Sequence, residues 1–171
     1  MSDQLEFLYR KNHERVFRAA FRITGDAMDA EDVLQTVFMR LLRREGDFAL
    51  TGDAGPYLHR AAINAAFDLL RRRRRNPASA DAGEMSETLP DPAADPWSST
   101  DRESLRRALR DALGRLTDAA AEVFALRYFE DYANHEIAEL LGMTPTAVAV
   151  TLHRSRARVR EELVRAQEMG R

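Results

Sequence analysis

A short interruption separates two apolar helical stretches between residues 135 and 160. Gly142 can adopt the positive φ that ends a helix, and Thr144 can cap a second helix that has Pro145 at its first position. Because so few residues join them, the two helices are expected to pack together as a helix-turn-helix. Such a motif places its second helix in the major groove of DNA. An ordinary helical hairpin is the alternative interpretation of this stretch taken alone.

The second helix of this motif has an inward and an outward side. Val148 and Leu152 are expected to pack on the first helix. The residues on outward-facing or flanking positions are Thr146, Ala147, Ala149, Val150, His153 and Arg154. These six residues are the candidates for contact with DNA.

The rest of the chain also repeats apolar residues at helical spacing. Helices are predicted over residues 4–23, 29–44, 57–75, 102–116 and 117–128, and the second helix of the helix-turn-helix extends to about residue 166. Asp29 is well placed to begin its helix, Thr117 caps its own, and Leu105 begins the apolar stripe of the 102–116 helix. No strand pattern occurs, so the predicted fold is all-α.

Residues 76–101 divide the chain. They hold four of the six prolines, six acidic residues and no Lys or Arg. Proline and glycine prevent a helix, and the few large apolar groups cannot offset the entropy of ordering the segment. The sequence therefore predicts two small helical domains, residues 1–75 and 102–171, joined by a flexible acidic linker. The formal charges of the three parts are +3, −6 and +1, so the net charge of −2 conceals two basic ends.

The helix over residues 57–75 carries a polar row and then a run of arginines. Arg60, Asn64 and Asp68 follow one another at spacings of four residues, and Arg71 to Arg75 come next. Five consecutive arginines repel one another unless they are solvated or paired with polyanions. A solvated helix end and a phosphate-binding patch both explain the run, and the helix-turn-helix downstream supports the second at least as well as the first.

The composition limits the cellular compartments in which the protein is expected to act. The absence of cysteine excludes disulfides and thiolate metal sites and is compatible with a reducing cytoplasm. No run of 18 apolar residues could cross a membrane, and the N-terminus lacks the pattern of a secretory signal. We therefore expect a globular cytoplasmic protein.

One stretch is similar to a catalytic motif. Residues 135–139 nearly match the HExxH zinc motif, but Glu139 stands where the second histidine is needed. The four histidines share no metal-ligand spacing. The sequence therefore predicts neither an enzyme nor a metal or cofactor site.

Three segments together resemble the extracytoplasmic-function sigma factors of bacterial RNA polymerase. They are RITGDAMDAEDVLQTVFMRLLR, YLHRAAINAAFDLLRRRRR and ALGRLTDAAAEVFALRYFEDYANHEIAELLGMTPTAVAVTLHRSRARVREEL. They occur in the family's order, on the two sides of an acidic linker, and cover nearly the whole chain. The resemblance implies a dissociable initiation subunit whose partners are core RNA polymerase and promoter DNA.

For residues 1–75 the resemblance implies the promoter-melting domain, region two. Its residues for docking on the clamp helices of the largest polymerase subunit are Asp32, Gln35 and Thr36. The family often has Glu at the position of Thr36. The loop with Phe48 is expected to capture a flipped base of the −10 element, at a cost of a few kcal/mol for unstacking. The other residues expected at the −10 DNA are Arg60, Asn64, Asp68, Arg71, Arg72 and Arg73. The family's aromatic pair near this point is matched by Tyr57, whereas His59 departs from it.

For residues 102–171 the resemblance implies region four, which recognises the −35 element. The family commonly has Lys or Arg at the position of Ala149. Thr146, Ala147 and Val150 are then expected near thymine methyl groups, and His153 and Arg154 near phosphates or base edges. The arginines further along the helix are assigned to phosphates or to the polymerase flap. Family members are often held by an anti-sigma factor, a further partner that the resemblance suggests.

The alternative function is a free-standing helix-turn-helix regulator that binds DNA without polymerase. It explains residues 102–171. It leaves the first domain, the arginine run and the acidic linker without a role.

Overall fold

A computed structural model describes residues 3–43, 53–77 and 99–169. The regular elements in these ranges are α-helices, which confirms the all-α prediction. They are α1 (Asp3–Thr24), α2 (Ala27–Arg43), α3 (Gly55–Arg75), α4 (Ser99–Leu113), α5 (Asp118–Tyr128), α6 (Asn134–Leu141) and α7 (Pro145–Met169). Phe48 and most of the expected linker lie outside the described residues.

The chain divides into two compact units, Met1–Leu69 and Leu70–Arg171. The last turns of α3 therefore belong to the second unit. The predicted end of the first domain, residue 75, lies six residues after this boundary.

The turn between α1 and α2 starts the second helix earlier than predicted. Gly25 has a φ of 67°, which ends α1. The side chain of Asp26 accepts a hydrogen bond from the backbone N–H of Asp29 at 2.9 Å, so Asp26 caps α2. The prediction that Asp29 begins this helix was wrong by two residues, and the side chain of Asp29 is fully buried.

The core of the first unit is built from the apolar sides of its three helices. Its fully buried large side chains include Val16, Val33, Leu58, Ile63 and Phe67. Burying side chains of this size contributes about 1.5–3 kcal/mol each to folding, before conformational entropy is subtracted. This core fixes which sides of α2 and α3 remain exposed.

In the second unit α7 packs against α4, α5 and α6. As predicted, Thr117 caps α5, where its hydroxyl oxygen accepts the N–H of Ala120. The apolar stripe of α4 differs from the prediction: Leu105 is 40 % exposed, and burial is complete only at Ala112 and Leu113, near the end of the helix. Periodicity alone does not show which residues of an apolar stripe are covered.

The helix-turn-helix forms as the sequence predicts. α6 ends at Gly142, which has a φ of 65°. Thr144 then caps α7, because its hydroxyl oxygen accepts the N–H of Ala147 at 3.1 Å. Pro145 is the first residue of the helix.

Candidate polymerase and DNA interfaces

The exposed side of α2 carries the three residues predicted to bind polymerase. Asp32 and Gln35 are exposed and Thr36 is half-buried. The same side continues in both directions, because Met28 is 62 % exposed and Met39 is 48 % exposed. Spacings of four, three and four residues join Met28, Asp32, Gln35 and Met39, so the four side chains form one row. Met28 was not among the predicted contact residues, although its helical spacing from Asp32 can be read from the sequence.

Such a row is suited to binding another protein. Methionine side chains adapt to the surface they meet, and the carboxylate and amide between them can accept and donate hydrogen bonds. On a protein alone in water, methionines exposed to this extent leave apolar surface uncovered.

Asp53, just before α3, links the start of that helix to α1 through polar contacts. Asp53 accepts the backbone N–H of Gly55 at 3.2 Å and an N–H of the Lys11 ammonium group at 3.3 Å. The hydrogen bond from Gly55 and then the Lys11 ammonium lower the pKa of the Asp53 carboxyl group below its ordinary value of 3.8. A Cβ atom at Gly55 would lie 3.0 Å from the Arg15 guanidinium, so the two helices approach closely here. These contacts hold the start of α3 against α1.

A cleft of about 310 Å³ lies between the end of α2 and the start of α3. Its lining residues are Val37, Arg40, Leu41, Arg43, Tyr57 and Ala61. Tyr57 is 43 % exposed, and the two arginines supply positive charge. An aromatic face beside guanidinium groups is a combination that binds unstacked bases and their phosphates.

The polar row of α3 lies mostly on the surface. Asn64 and Asp68 are exposed, and Arg60 is half-buried. Asp68 lies 3.8 Å from the Arg40 guanidinium, which ties the row to the end of α2. His59, which departs from the family's aromatic pair, is only 3 % exposed, so it belongs to the core and not to this surface.

The arginines that end α3 have different surroundings. Arg71 donates a hydrogen bond to the backbone carbonyl of Leu116 at 3.1 Å and lies 2.7 Å from the Asp118 carboxylate, both within the second compact unit. Its side chain is only 18 % exposed. Arg73 is half-buried, whereas Arg72 is exposed. The three arginines predicted at the DNA are therefore not equivalent.

The outward side of α7 is now defined by burial. Val148, Leu152, Ser155 and Val159 are buried against the rest of the unit. Opposite them lies a set that we call the outward row, which consists of Thr146, Val150, His153 and Ala157. Of the other predicted contact residues, Ala149 and Arg154 are exposed and Ala147 is half-buried.

Arginines flank the outward row on both sides. At about 100° per residue, Arg154 and Arg158 lie to one side of it, and Arg156 and Arg160 lie to the other. All four are exposed. A helix that carries positive charge along both flanks matches a groove with a phosphate backbone on each side.

Within the described ranges, no three His, Asp or Glu side chains are grouped so that they could hold a metal ion. In the same part of the chain, no helix is long and apolar enough to span a membrane.

Comparison with known proteins matches both units. The family model for sigma-70 region 2 matches residues 8–76, and the model for sigma-70 region 4 matches residues 106–159. The RNA polymerase sigma-E factor of Streptomyces avermitilis is 34 % identical over 94 % of this chain and 85 % of its own length. That of Streptomyces coelicolor is 34 % identical over 96 % of this chain and 89 % of its own.

A solved structure supports the fold. The sigma factor RpoE of Bartonella quintana, crystallised in complex with the anti-sigma factor NepR, matches with a TM-score of 0.51 and 17 % identity. The match covers 95 % of this chain and 98 % of the other.

Proposed function

Since the chain belongs to the extracytoplasmic-function family of bacterial RNA polymerase sigma factors, we propose a division of roles between its two units during promoter-specific initiation. The observation that carries the function is the presence of region 2 and region 4 in one chain and in that order. The protein binds core RNA polymerase and promoter DNA and directs initiation at the promoters that it recognises.

Core polymerase binds to the exposed side of α2. Asp32, Gln35 and Thr36 contact the clamp helices of its largest subunit. The support for this assignment is the row in which Met28 and Met39 continue the same exposed side beyond the polar residues. Apolar ends around a polar centre suit a contact with a pair of helices.

Residues 1–75 recognise and help to open the −10 element. Arg60, Asn64 and Asp68 face the separating strands, and Phe48 belongs to the loop that captures a flipped base. The cleft with Tyr57 lies between the end of α2 and the start of α3, and its aromatic ring and arginines suit an unstacked base. Arg71, Arg72 and Arg73 are assigned to the phosphates next to it.

Residues 102–171 recognise the −35 element in the major groove through α7. Its contact residues are Thr146, Ala147, Ala149, Val150, His153 and Arg154. The flanking arginines bind phosphates or meet the polymerase flap. The cap at Thr144 supports this assignment, because it fixes where the helix starts and thus which residues face the groove.

Residues 76–101 form the acidic linker between the two domains. The protein acts in the cytoplasm, where core polymerase transcribes, and it assists strand opening without catalysing bond formation itself. An anti-sigma factor is a further partner, as for the relative that was crystallised with one.

Size-exclusion chromatography with core polymerase separates this function from that of a free-standing regulator. We expect the chain to co-elute with core polymerase, and Asp32→Arg to weaken the co-elution. Glu168→Arg, the same reversal of charge at an exposed position on α7 in the second unit, is the control. Elution of the unaltered chain apart from core polymerase would favour the regulator.

A further inference from the structure

The outward row of α7 is unusual in its chemistry. Thr146, Val150 and Ala157 are short, and only His153 carries an imidazole. Val150 is 42 % exposed, so its two methyl groups face water when no DNA is bound. The methyl group of Thr146, which is also exposed, precedes it by one turn. The first two turns of the helix therefore present a small apolar strip.

The charge around the outward row determines whether the strip faces the base edges or the phosphate backbone of DNA. Exposed arginines lie on both flanks, and phosphates lie on both edges of a major groove. When the flanks are engaged with the two backbones, the row between them faces the base pairs. A strip of methyl groups at that position lies against base edges and not against the backbone.

The residue types in the row limit what they can recognise. Guanine and adenine are best distinguished by two hydrogen bonds from Arg, Lys, Asn or Gln, and the outward row contains none of these. The apolar feature that the major groove offers is the C5 methyl group of thymine. We propose that Thr146 and Val150 bind thymine C5 methyl groups in the −35 element, and that this contact provides most of the base specificity of the first two turns.

This inference rests on the proposed function and deepens it, because it names the chemical group that the second unit recognises.

The test removes the methyl group without changing the hydrogen-bonding edge. The −35 element is first selected from a randomised segment by binding to the holoenzyme assembled from this chain and core polymerase. Each thymine of the selected element is then replaced by deoxyuridine on either strand, and the Kd of the holoenzyme is measured. We expect about fourfold weaker binding for each contacted methyl group that is removed. Deoxyuridine in the spacer between the two promoter elements should leave Kd unchanged.

A pair of variants assigns the effect to the strip. Val150→Ala should weaken binding to the thymine template by up to about tenfold and should reduce the penalty for deoxyuridine at one position. Val164→Ala is the matched control, because Val164 lies on the same helix and is 47 % exposed but is several turns beyond the strip. It should change neither quantity.

Three results would overturn the inference, and they can be distinguished from one another. If the holoenzyme binds and transcribes the selected promoter but tolerates deoxyuridine at every thymine of the −35 element within twofold, methyl recognition is wrong and the sigma function stands. The inference would also be wrong if Val150→Ala and Val164→Ala retained the same deoxyuridine penalties. If no holoenzyme forms and no promoter can be selected, both the proposed function and this inference fail.

Discussion

Gly142 determines the angle at which the two helices of the helix-turn-helix meet. Its φ of 65° lies in the region that costs residues with a Cβ atom about 1–2 kcal/mol. A Cβ atom at this position would meet nothing within 4 Å, so conformational strain is the only penalty. The geometry of the recognition helix therefore depends on one backbone conformation.

Gly142→Ala should lower the free energy of unfolding of the second unit by about 1 kcal/mol, because alanine is strained at positive φ. Urea denaturation followed by circular dichroism measures the change. Gly142→Asn is the matched variant and should cost less, because asparagine tolerates the left-handed region. Equal losses for both substitutions would show that the conformation is not the cause.

Asp53 offers a second test at the scale of one residue. Its folded pKa lies below its ordinary value of 3.8, so its ionised form stabilises the fold above pH 3.8. That contribution is lost as the pH falls through the lower, folded pKa. Protonation of this carboxyl group should therefore contribute to the loss in free energy of unfolding below pH 3.8.

In Lys11→Met the pKa of Asp53 should rise part of the way back toward 3.8, because the ammonium is removed while the hydrogen bond from Gly55 remains. An NMR titration of the carboxyl carbon measures the pKa. Arg10→Met is the control, because Arg10 pairs with Glu6 on the same helix. An unchanged pKa in Lys11→Met would remove the ammonium as a cause.

At the scale of the element, α2 presents a binding surface longer than its polar residues suggest. If Met28 and Met39 extend the polymerase contact, replacing both by alanine should weaken the affinity for core polymerase by about tenfold. A competition assay against a labelled sigma subunit measures this affinity. Met169→Ala is the control, since Met169 is 87 % exposed at the far end of α7. Wild-type affinity in the double variant would confine the contact to Asp32, Gln35 and Thr36.

The end of α3 is the second element whose role can be measured. Each arginine that neutralises a phosphate contributes about 0.9 to the slope of log K against log salt concentration. Arg72, Arg74 and Arg75 are exposed, so replacing all three by glutamine should flatten the slope of promoter binding by up to about 2.7. Filter binding at several salt concentrations gives the slope.

Arg71 serves as the comparison within the same run. Because Asp118 and the carbonyl of Leu116 hold its guanidinium, Arg71→Gln should change the slope less than the average of the other three. An unchanged slope in the triple variant would place the arginine run outside the DNA interface. A large change in Arg71→Gln alone would show that its contacts are exchanged for phosphate on binding.

At the scale of the whole molecule, the sequence determined the elements well because caps and periodicity are local. Gly142, Thr144 and Thr117 were identified from residue type, and each has the predicted role. The errors concern a choice between two nearby caps and the extent of an apolar stripe. Asp26, and not Asp29, caps α2, and Leu105 is 40 % exposed although its spacing places it on the stripe of α4.

The candidate site was less accessible to sequence reasoning than the fold. The outward side of α7 could be inferred because burial follows helical spacing. The cleft with Arg40 and Tyr57 and the contacts of Arg71 depend on residues far apart in the chain, and no local pattern reports them. Family resemblance supplied the roles, while the structure supplied the surroundings that distinguish one arginine from the next.

The central claim is that this chain makes core polymerase specific for promoters. Run-off transcription measures it directly, on linear templates that carry a promoter selected with the holoenzyme. We predict a discrete transcript only when both core polymerase and this chain are present, and its loss when either the −10 or the −35 element is scrambled. Transcription that does not depend on the chain, or no transcript from any selected or genomic template, would contradict the claim.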